Sequence, residues 1–265
     1  MSIIEDHFKL HRAPFPQCAE GPALLQHTSL KEANERLRFA IDRYGIATCT
    51  GESGCGKSTL LGCIHRDLDP ASHLVVYSSL TTLGPFGLLS SLVAKLGMRP
   101  RRFKGETAQD LIAHLRGSSK SVVLVLDEAH LMPDASLDDL RLLTADSIDK
   151  RSPFALVLAG QPLLRERLAE PQHYALAQRI TVRVRLRPLT ESEAVLFLDK
   201  HMRAAGAMKN LFEPDAVTLL FQHSRGIPRL LQNLALGALL AAANANKKLV
   251  DADSVQQSLL DAEAP

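Results

Sequence analysis

Apolar residues follow two rhythms along this chain, and the change between them falls near Pro188. Before it, short apolar runs recur at Ile46–Thr50, His73–Ser79, Ser121–Glu128, Phe154–Gly160 and Ile180–Leu186. The third reads Ser-Val-Val-Leu-Val-Leu-Asp-Glu, unbroken until its two closing carboxylates, as suits a strand buried on both faces of a parallel sheet. The fifth alternates, with Val182, Val184 and Leu186 set against Arg183, Arg185 and Arg187. That pattern predicts an edge strand with one solvated side. Helical spacing fills the intervals: from about Ser29, with Leu30, Ala33, Leu37, Ala40 and Ile41 on one face, from Leu60, over Pro85–Leu96, and from Thr107.

After Pro188 the strand signal stops. Thr190-Glu191-Ser192-Glu193 opens a helix with a capping box, and helices are predicted near 190–205, 213–224, 227–246 and 251–261. Gly226-Ile227-Pro228 ends one helix and starts the next. Strands alternating with helices predict an α/β fold on a parallel sheet. It occupies residues 1–188, with an irregular lead-in over 1–28, and a helical lid domain follows over 189–265. The lead-in holds Phe8, Pro14, Phe15, Pro16 and Pro22, and reads either as a cover for a nucleotide base or as plain structural packing.

Between the first strand and its helix stands Gly51-Glu52-Ser53-Gly54-Cys55-Gly56-Lys57-Ser58, followed by Thr59. This fits G-x-x-x-x-G-K-[ST], the phosphate-binding loop, in its proper strand–loop–helix setting. The glycines let the backbone turn several amides onto phosphate oxygens, and the helix N-terminus adds unpaired donors and a positive dipole end. Lys57 supplies a point charge for the β- and γ-phosphates, and the Ser58 hydroxyl a ligand for Mg²⁺. ATP and Mg²⁺ are the expected cofactors.

Asp127-Glu128 closes the third strand, where a doubly wound sheet presents its ligand crevice. Asp127 is suited to the Mg²⁺ hydration shell and Glu128 to taking a proton from, or orienting, an attacking water. A passive nucleotide binder has no use for the second carboxylate, so the pair points to an ATP hydrolase. Gln161, after the fourth strand, reads from spacing alone either as a partner for that water or for the γ-phosphate, or as an ordinary loop residue. Arg179, before the fifth strand, and Arg229, in the first turn of a lid helix, read either as surface charges or as cations for the transition state.

Composition narrows the setting. The 265 residues are 46% hydrophobic and 23% charged, with net charge +2, so bulk charge selects no nucleic-acid partner. The four cysteines, Cys18, Cys49, Cys55 and Cys63, show no zinc-like spacing, as expected of free thiols in a reducing cytoplasm. The N-terminus lacks a basic start with an apolar run. The most apolar segment, Leu234 to Ala243, falls short of the roughly 20 residues a bilayer span needs. A soluble, cytoplasmic protein is expected.

The segments Gly51–Thr59, Leu126-Asp127-Glu128-Ala129-His130, Leu158-Ala159-Gly160-Gln161, Gln178-Arg179-Ile180 and Gly226-Ile227-Pro228-Arg229 occur in this order. Together they resemble an AAA+ ATPase, within it the branch of ExeA-like secretion ATPases and the TniB/TnsC-like helpers of DNA transposons. The resemblance runs over nearly the whole chain. It implies a sheet ordered 5-1-4-3-2, Gln161 as sensor 1, Arg179 as a finger reaching the next subunit's γ-phosphate, and Arg229 as the sensor-2 arginine. Glu-Ala-His after the first Walker B acid is common in the branch, so His130 need not be catalytic.

For a partner, the loop Met98–Gly105 carries Arg99, Arg101, Arg102 and Lys104, beside a helix expected to start at Thr107. Four cations beside a helix N-terminus suit contact with a DNA backbone; a solvated loop fits equally. In the transposon helpers, loops of this region face the bore of a ring or helical filament around duplex DNA. The resemblance thus implies an ATP-dependent homo-oligomer on duplex DNA that recruits a transposase and falls apart on hydrolysis. ExeA-like secretion ATPases continue past the lid into a membrane segment and a wall-binding domain, whereas this sequence stops at Pro265, which favours the transposition role. An assembly ATPase acting on envelope proteins without DNA is the alternative. A replication initiator or helicase loader is a third reading, disfavoured because no DNA-binding domain follows the lid.

Overall fold

The computed structural model describes residues 3–16, 28–145 and 152–263; Cys18 and Pro22 lie outside them. In chain order the elements are α1 (Ile3–Phe8), α2 (Thr28–Asp42), β1 (Ile46–Thr50), α3 (Lys57–Asp67), β2 (His73–Ser78), α4 (Pro85–Lys95), α5 (Lys104–Gly117), β3 (Ser121–Leu126) and α6 (Asp134–Thr144). There follow β4 (Ala155–Gly160), α7 (Leu163–Leu168), a turn of helix α8 (Tyr174–Ala177), β5 (Ile180–Arg185), α9 (Glu191–Ala205), α10 (Pro214–Ser224), α11 (Pro228–Asn244) and α12 (Ala252–Glu263). Contacts group the chain into two units, Leu30–Ser53 with Leu60–Leu186, and Met1–Ser29 with Gly54–Thr59 and Arg187–Pro265.

In the first unit the five strands form one parallel sheet ordered β2-β3-β4-β1-β5, the order 5-1-4-3-2 read from its other side. β1 and β4 are buried throughout, and β3 from Val122 onward. Their unbroken apolar runs are what a strand covered on both faces requires. β5 alternates buried and exposed residues at the sheet edge. Leu92, Val93, Leu111, Leu124, Leu126, Leu137 and Phe154 belong to one continuous core.

Most boundaries shift by a residue or two, and three shifts bear on the expected chemistry. The carboxylates Asp127 and Glu128 follow β3 instead of ending it, because Leu126 makes the last ladder pair, with Ser78 on one side and Leu158 on the other. α3 starts at Lys57, not Leu60, so the loop's lysine and Ser58 lie in its first turn. α5 starts at Lys104, three residues before Thr107. The buried Thr107 hydroxyl accepts the Arg101 amide at 2.9 Å and donates to the Phe103 carbonyl at 3.1 Å.

The second unit is helical, built on α9 to α12 with α1. Thr190 caps α9 through a capping box with Glu193. Arg187 donates to both Glu193 carboxylate oxygens, at 2.7 and 3.0 Å. That contact, joined by the Thr190 bonds and opposed by desolvation, pulls the Glu193 carboxyl down to about 2. Gly226 adopts φ +70, and a Cβ there would lie 2.2 Å from the Leu189 carbonyl oxygen, so the turn needs glycine. The described part of the lead-in packs here: Phe15 stacks on Phe197, and the His11 amide donates to the Ala205 carbonyl at 2.8 Å. Phe15 is thus a structural cover, and the segment expected to belong with residues 30–188 groups with the C-terminal helices.

Candidate nucleotide site

Parallel strands all end on one side, and the chemistry gathers where β1, β3 and β4 end. The Gly51 amide donates to the Gly160 carbonyl at 3.2 Å, fixing the start of the phosphate loop against the end of β4. Asp127 is buried, and each of its carboxylate oxygens accepts a hydrogen bond. Its amide donates to the Ser78 carbonyl at 2.8 Å, Oδ1 accepts the Glu128 amide at 2.9 Å, and Oδ2 accepts the Tyr77 hydroxyl at 3.0 Å. Burial, then the Asp127 carboxylate, raise the Tyr77 pKa, which keeps this hydroxyl a donor.

Glu128 sits in the left-handed region at φ 52, a conformation that costs a non-glycine residue roughly 1–2 kcal/mol. Neighbouring groups hold it there. The buried Thr81 hydroxyl and the Leu131 amide both donate to its carbonyl at 2.9 Å. Its carboxylate stands half-exposed, with Oε2 3.5 Å from Nδ1 of the buried His130. The same Nδ1 accepts the Gln161 amide at 3.4 Å, and Arg167 donates to the His130 carbonyl at 2.8 Å. His130 thereby links the Asp127–Glu128 turn to the end of β4. Arg167 in turn bonds Asp134, which His173 also contacts at 3.0 Å, and these contacts lower the Asp134 pKa, the Arg167 bond foremost.

The remainder of the loop groups with the helical unit. Gly54 and Gly56 adopt φ +84 and +94, conformations open to glycine. Lys57 is buried and Ser58 exposed at the start of α3, with Cys55 buried between the glycines and Thr59 half-buried. Glu52 and Ser53 are exposed. The Arg229 amide, in the first turn of α11, donates to the Gly54 carbonyl at 3.3 Å. A Cβ on Gly54 would lie 2.9 Å from Arg229 Cβ and 3.0 Å from Ile227 Cγ2. Positive-φ glycines, a helix starting at the lysine and a hydroxyl in its first turn fit a triphosphate, and Ser58 and Asp127 have the oxygen donors Mg²⁺ prefers.

The other expected residues stand apart. Arg179 is exposed just before β5, and no hydrogen bond or ion pair is found for its guanidinium among the described residues. In the basic segment, Arg101 pairs with Asp110 at 2.6 Å and Lys104 with Asp139 at 3.0 Å. Arg102 reaches over the Phe103 ring, 5.6 Å from its centroid. Thr107 is buried with its hydroxyl bonded to backbone, which corrects its expected place as a contact for DNA. Sequence reasoning missed Tyr77 and Thr81; the register of β2 against β3, Tyr77 beside Val125 and Ser78 beside Leu126, is the signal that finds them.

A protein-family model described as an AAA domain matches residues 41–168. General secretion pathway protein A of Aeromonas hydrophila is 32% identical over 254 residues, 93% of this chain but 46% of that protein. The chain therefore spans about half the length of this curated relative. Among solved structures, Cdc6p of Pyrobaculum aerophilum superposes with TM-score 0.71 at 18% identity, covering 97% of this chain and 70% of the other. ORC1 of Aeropyrum pernix, solved in complex with DNA, gives TM-score 0.69 at 19% identity, covering 91% and 67%. At such identities these two speak for the fold alone. Residues 41–168 thus match an AAA domain, and the five-stranded parallel sheet, completed by β5 beyond that match, has the fold of the P-loop AAA+ ATPases, a class that binds ATP with Mg²⁺ and hydrolyses it.

Proposed function

We propose that this chain is an ATP-driven assembly switch, whose copies gather on duplex DNA with ATP and disperse on hydrolysis. The observation that carries hydrolysis is the Asp127–Glu128 turn, with one carboxylate locked by Tyr77 and a backbone amide and the next left half-exposed. The amides of residues 51–59 and the start of α3 cradle the triphosphate, and Lys57 meets its β- and γ-oxygens. Ser58 and Asp127 would hold Mg²⁺, which when bound would supply positive charge to those oxygens. Glu128 takes the proton of the attacking water, and Gln161 helps orient it. Arg179 of an adjoining copy meets the γ-phosphate as charge develops, and Arg229 does so from α11.

The DNA-facing surface is the segment from Arg99 to Lys104. Its two ion pairs are largely exposed, and exposed pairs contribute about 0–1 kcal/mol. A row of phosphates can therefore draw Arg101 and Lys104 away from their carboxylates, beside the exposed Arg99 and Arg102. The likeness to ORC1, solved with DNA, supports this reading at the level of the fold. The finer role, marking a DNA target and recruiting a transposase, is supported by the resemblance of the motifs to the transposon helpers. A second reading is favoured by the 32% identity to general secretion pathway protein A: an assembly ATPase working on envelope proteins without DNA.

The deciding experiment measures ATPase rate with and without nonspecific duplex DNA at several salt concentrations. Stimulation that fades steeply with salt is expected; a rate indifferent to DNA transfers the assignment to the second reading. In the same assay Glu128→Gln retains ATP and loses turnover. Normal turnover in that variant removes Glu128 as the base.

A further inference from the structure

We infer that Arg183 is a positioning residue for hydrolysis, the clamp that sets the backbone presenting Arg179. This rests on the reading of Arg179 as the group that reaches a neighbour's triphosphate. Arg179 lies in the two-residue link between α8 and β5, flanked by Gln178. The amides of that link point back into α8: Gln178 donates to the Tyr174 carbonyl and Arg179 to the Leu176 carbonyl, both at 3.0 Å. Its flanking carbonyls go to one side chain. The Arg183 guanidinium donates through Nη1 to the Ile180 carbonyl at 3.1 Å and through Nη2 to the Ala177 carbonyl.

A planar fork reaching two carbonyls three residues apart fixes the direction of the chain between them, as a single donor cannot. Helix α8 is one turn long, so its last carbonyls have few other partners. The clamp also accounts for a long, charged side chain tied down at an exposed position. Arg183 holds up no core: it lines an open recess of about 390 Å³ with Arg165, Tyr174 and Arg185. Its removal leaves the sheet intact and loosens the link, which then keeps only its two amide bonds into α8. A mobile link spreads the Arg179 guanidinium over many positions, and a misplacement near 1 Å costs on the order of 100-fold in rate.

The test uses Arg183→Ala, Arg183→Lys and Arg179→Ala in the full chain, with ATP affinity and turnover measured separately. Arg183→Ala should bind ATP as the parent does and turn over roughly 10- to 100-fold more slowly. Arg183→Lys, able to reach one carbonyl at a time, should fall between. Each slow variant is then mixed in equal amounts with Glu128→Gln, which keeps its own Arg179 link but cannot hydrolyse. Because the defect lies in what one copy offers the next, mixing should restore turnover to Arg183→Ala as it does to Arg179→Ala. Parental turnover in Arg183→Ala overturns the clamp. So does a slow Arg183→Ala that mixing leaves slow while Arg179→Ala recovers, since the residue then acts within its own copy. Parental turnover in Arg179→Ala instead refutes the assignment of Arg179 itself.

Discussion

Gly54→Ala is the substitution whose effect can be worked out most fully from the structure. Gly54 lies at φ +84, where an alanine is disfavoured by roughly 1–2 kcal/mol. Its new methyl would also meet Arg229 Cβ at 2.9 Å and Ile227 Cγ2 at 3.0 Å, contacts shorter than carbon atoms tolerate. Ile227 caps α11 and Arg229 lies in its first turn, so neither can yield by swinging a flexible end. Overpacking of this kind costs about 1–3 kcal/mol. The two effects sum to about 2–5 kcal/mol, or roughly 30- to several thousand-fold in ATP affinity if the loop must keep its present shape to bind. Gly97→Ala supplies the control, because Gly97 has φ +75 with nothing within 4 Å of its added methyl. It should lower stability by about 1–2 kcal/mol and leave ATP affinity unchanged. Calorimetric titration with ATP on both variants and the parent makes the comparison. ATP affinity in Gly54→Ala within threefold of the parent would refute the argument that loop and α11 are locked together through this contact.

Two further outcomes are expected. His201 is buried between Phe15 and Phe197, neither ring nitrogen has a partner among the described residues, and burial depresses its pKa to about 4. The unfolded chain takes up this proton near pH 6.5 and the folded one only near 4, so stability is full above the first value and falls by about 3 kcal/mol as pH drops to the second. Hydrogen exchange across α9 should accelerate between pH 6.5 and 4 after correction for intrinsic rates, and His201→Leu should remove that component; an unchanged profile counts against it. Tyr77→Phe loses a partly exposed bond to Asp127 worth about 1 kcal/mol, so the Mg²⁺ concentration giving half-maximal turnover should rise about fivefold with the fold unaltered. An unshifted Mg²⁺ titration would deny Tyr77 any part in holding that carboxylate.

What could be read from sequence was the chemistry that is contiguous along the chain. The loop from Gly51 to Thr59, the Asp127–Glu128 pair and the capping box at Thr190 each satisfy a local rule within a few residues. The sheet was legible because strands covered on both faces leave unbroken apolar runs. Contacts made across the sheet left no such trace. Tyr77 reaches Asp127, 50 positions away, only because β2 lies beside β3. Arg101 and Lys104 read as open cations, while Lys104 finds its carboxylate 35 positions on, at Asp139. Helix α6 was legible too, since Leu137, Leu140 and Leu143 have helical spacing after Pro133, but the expected elements did not include it.

The arginines on the outer strand have an effect separate from any nucleotide. β5 ends the sheet, and an edge strand invites another chain to add itself by main-chain pairing. Arg183 and Arg185 charge its open face, while Val182 and Val184 are already committed to the interior. A second strand laid alongside would face mutual repulsion and gain little apolar burial. On the proposed reading, in which copies of the chain meet reversibly, these charges steer it away from a mode of self-association that does not reverse, the growth of a continuous sheet from molecule to molecule.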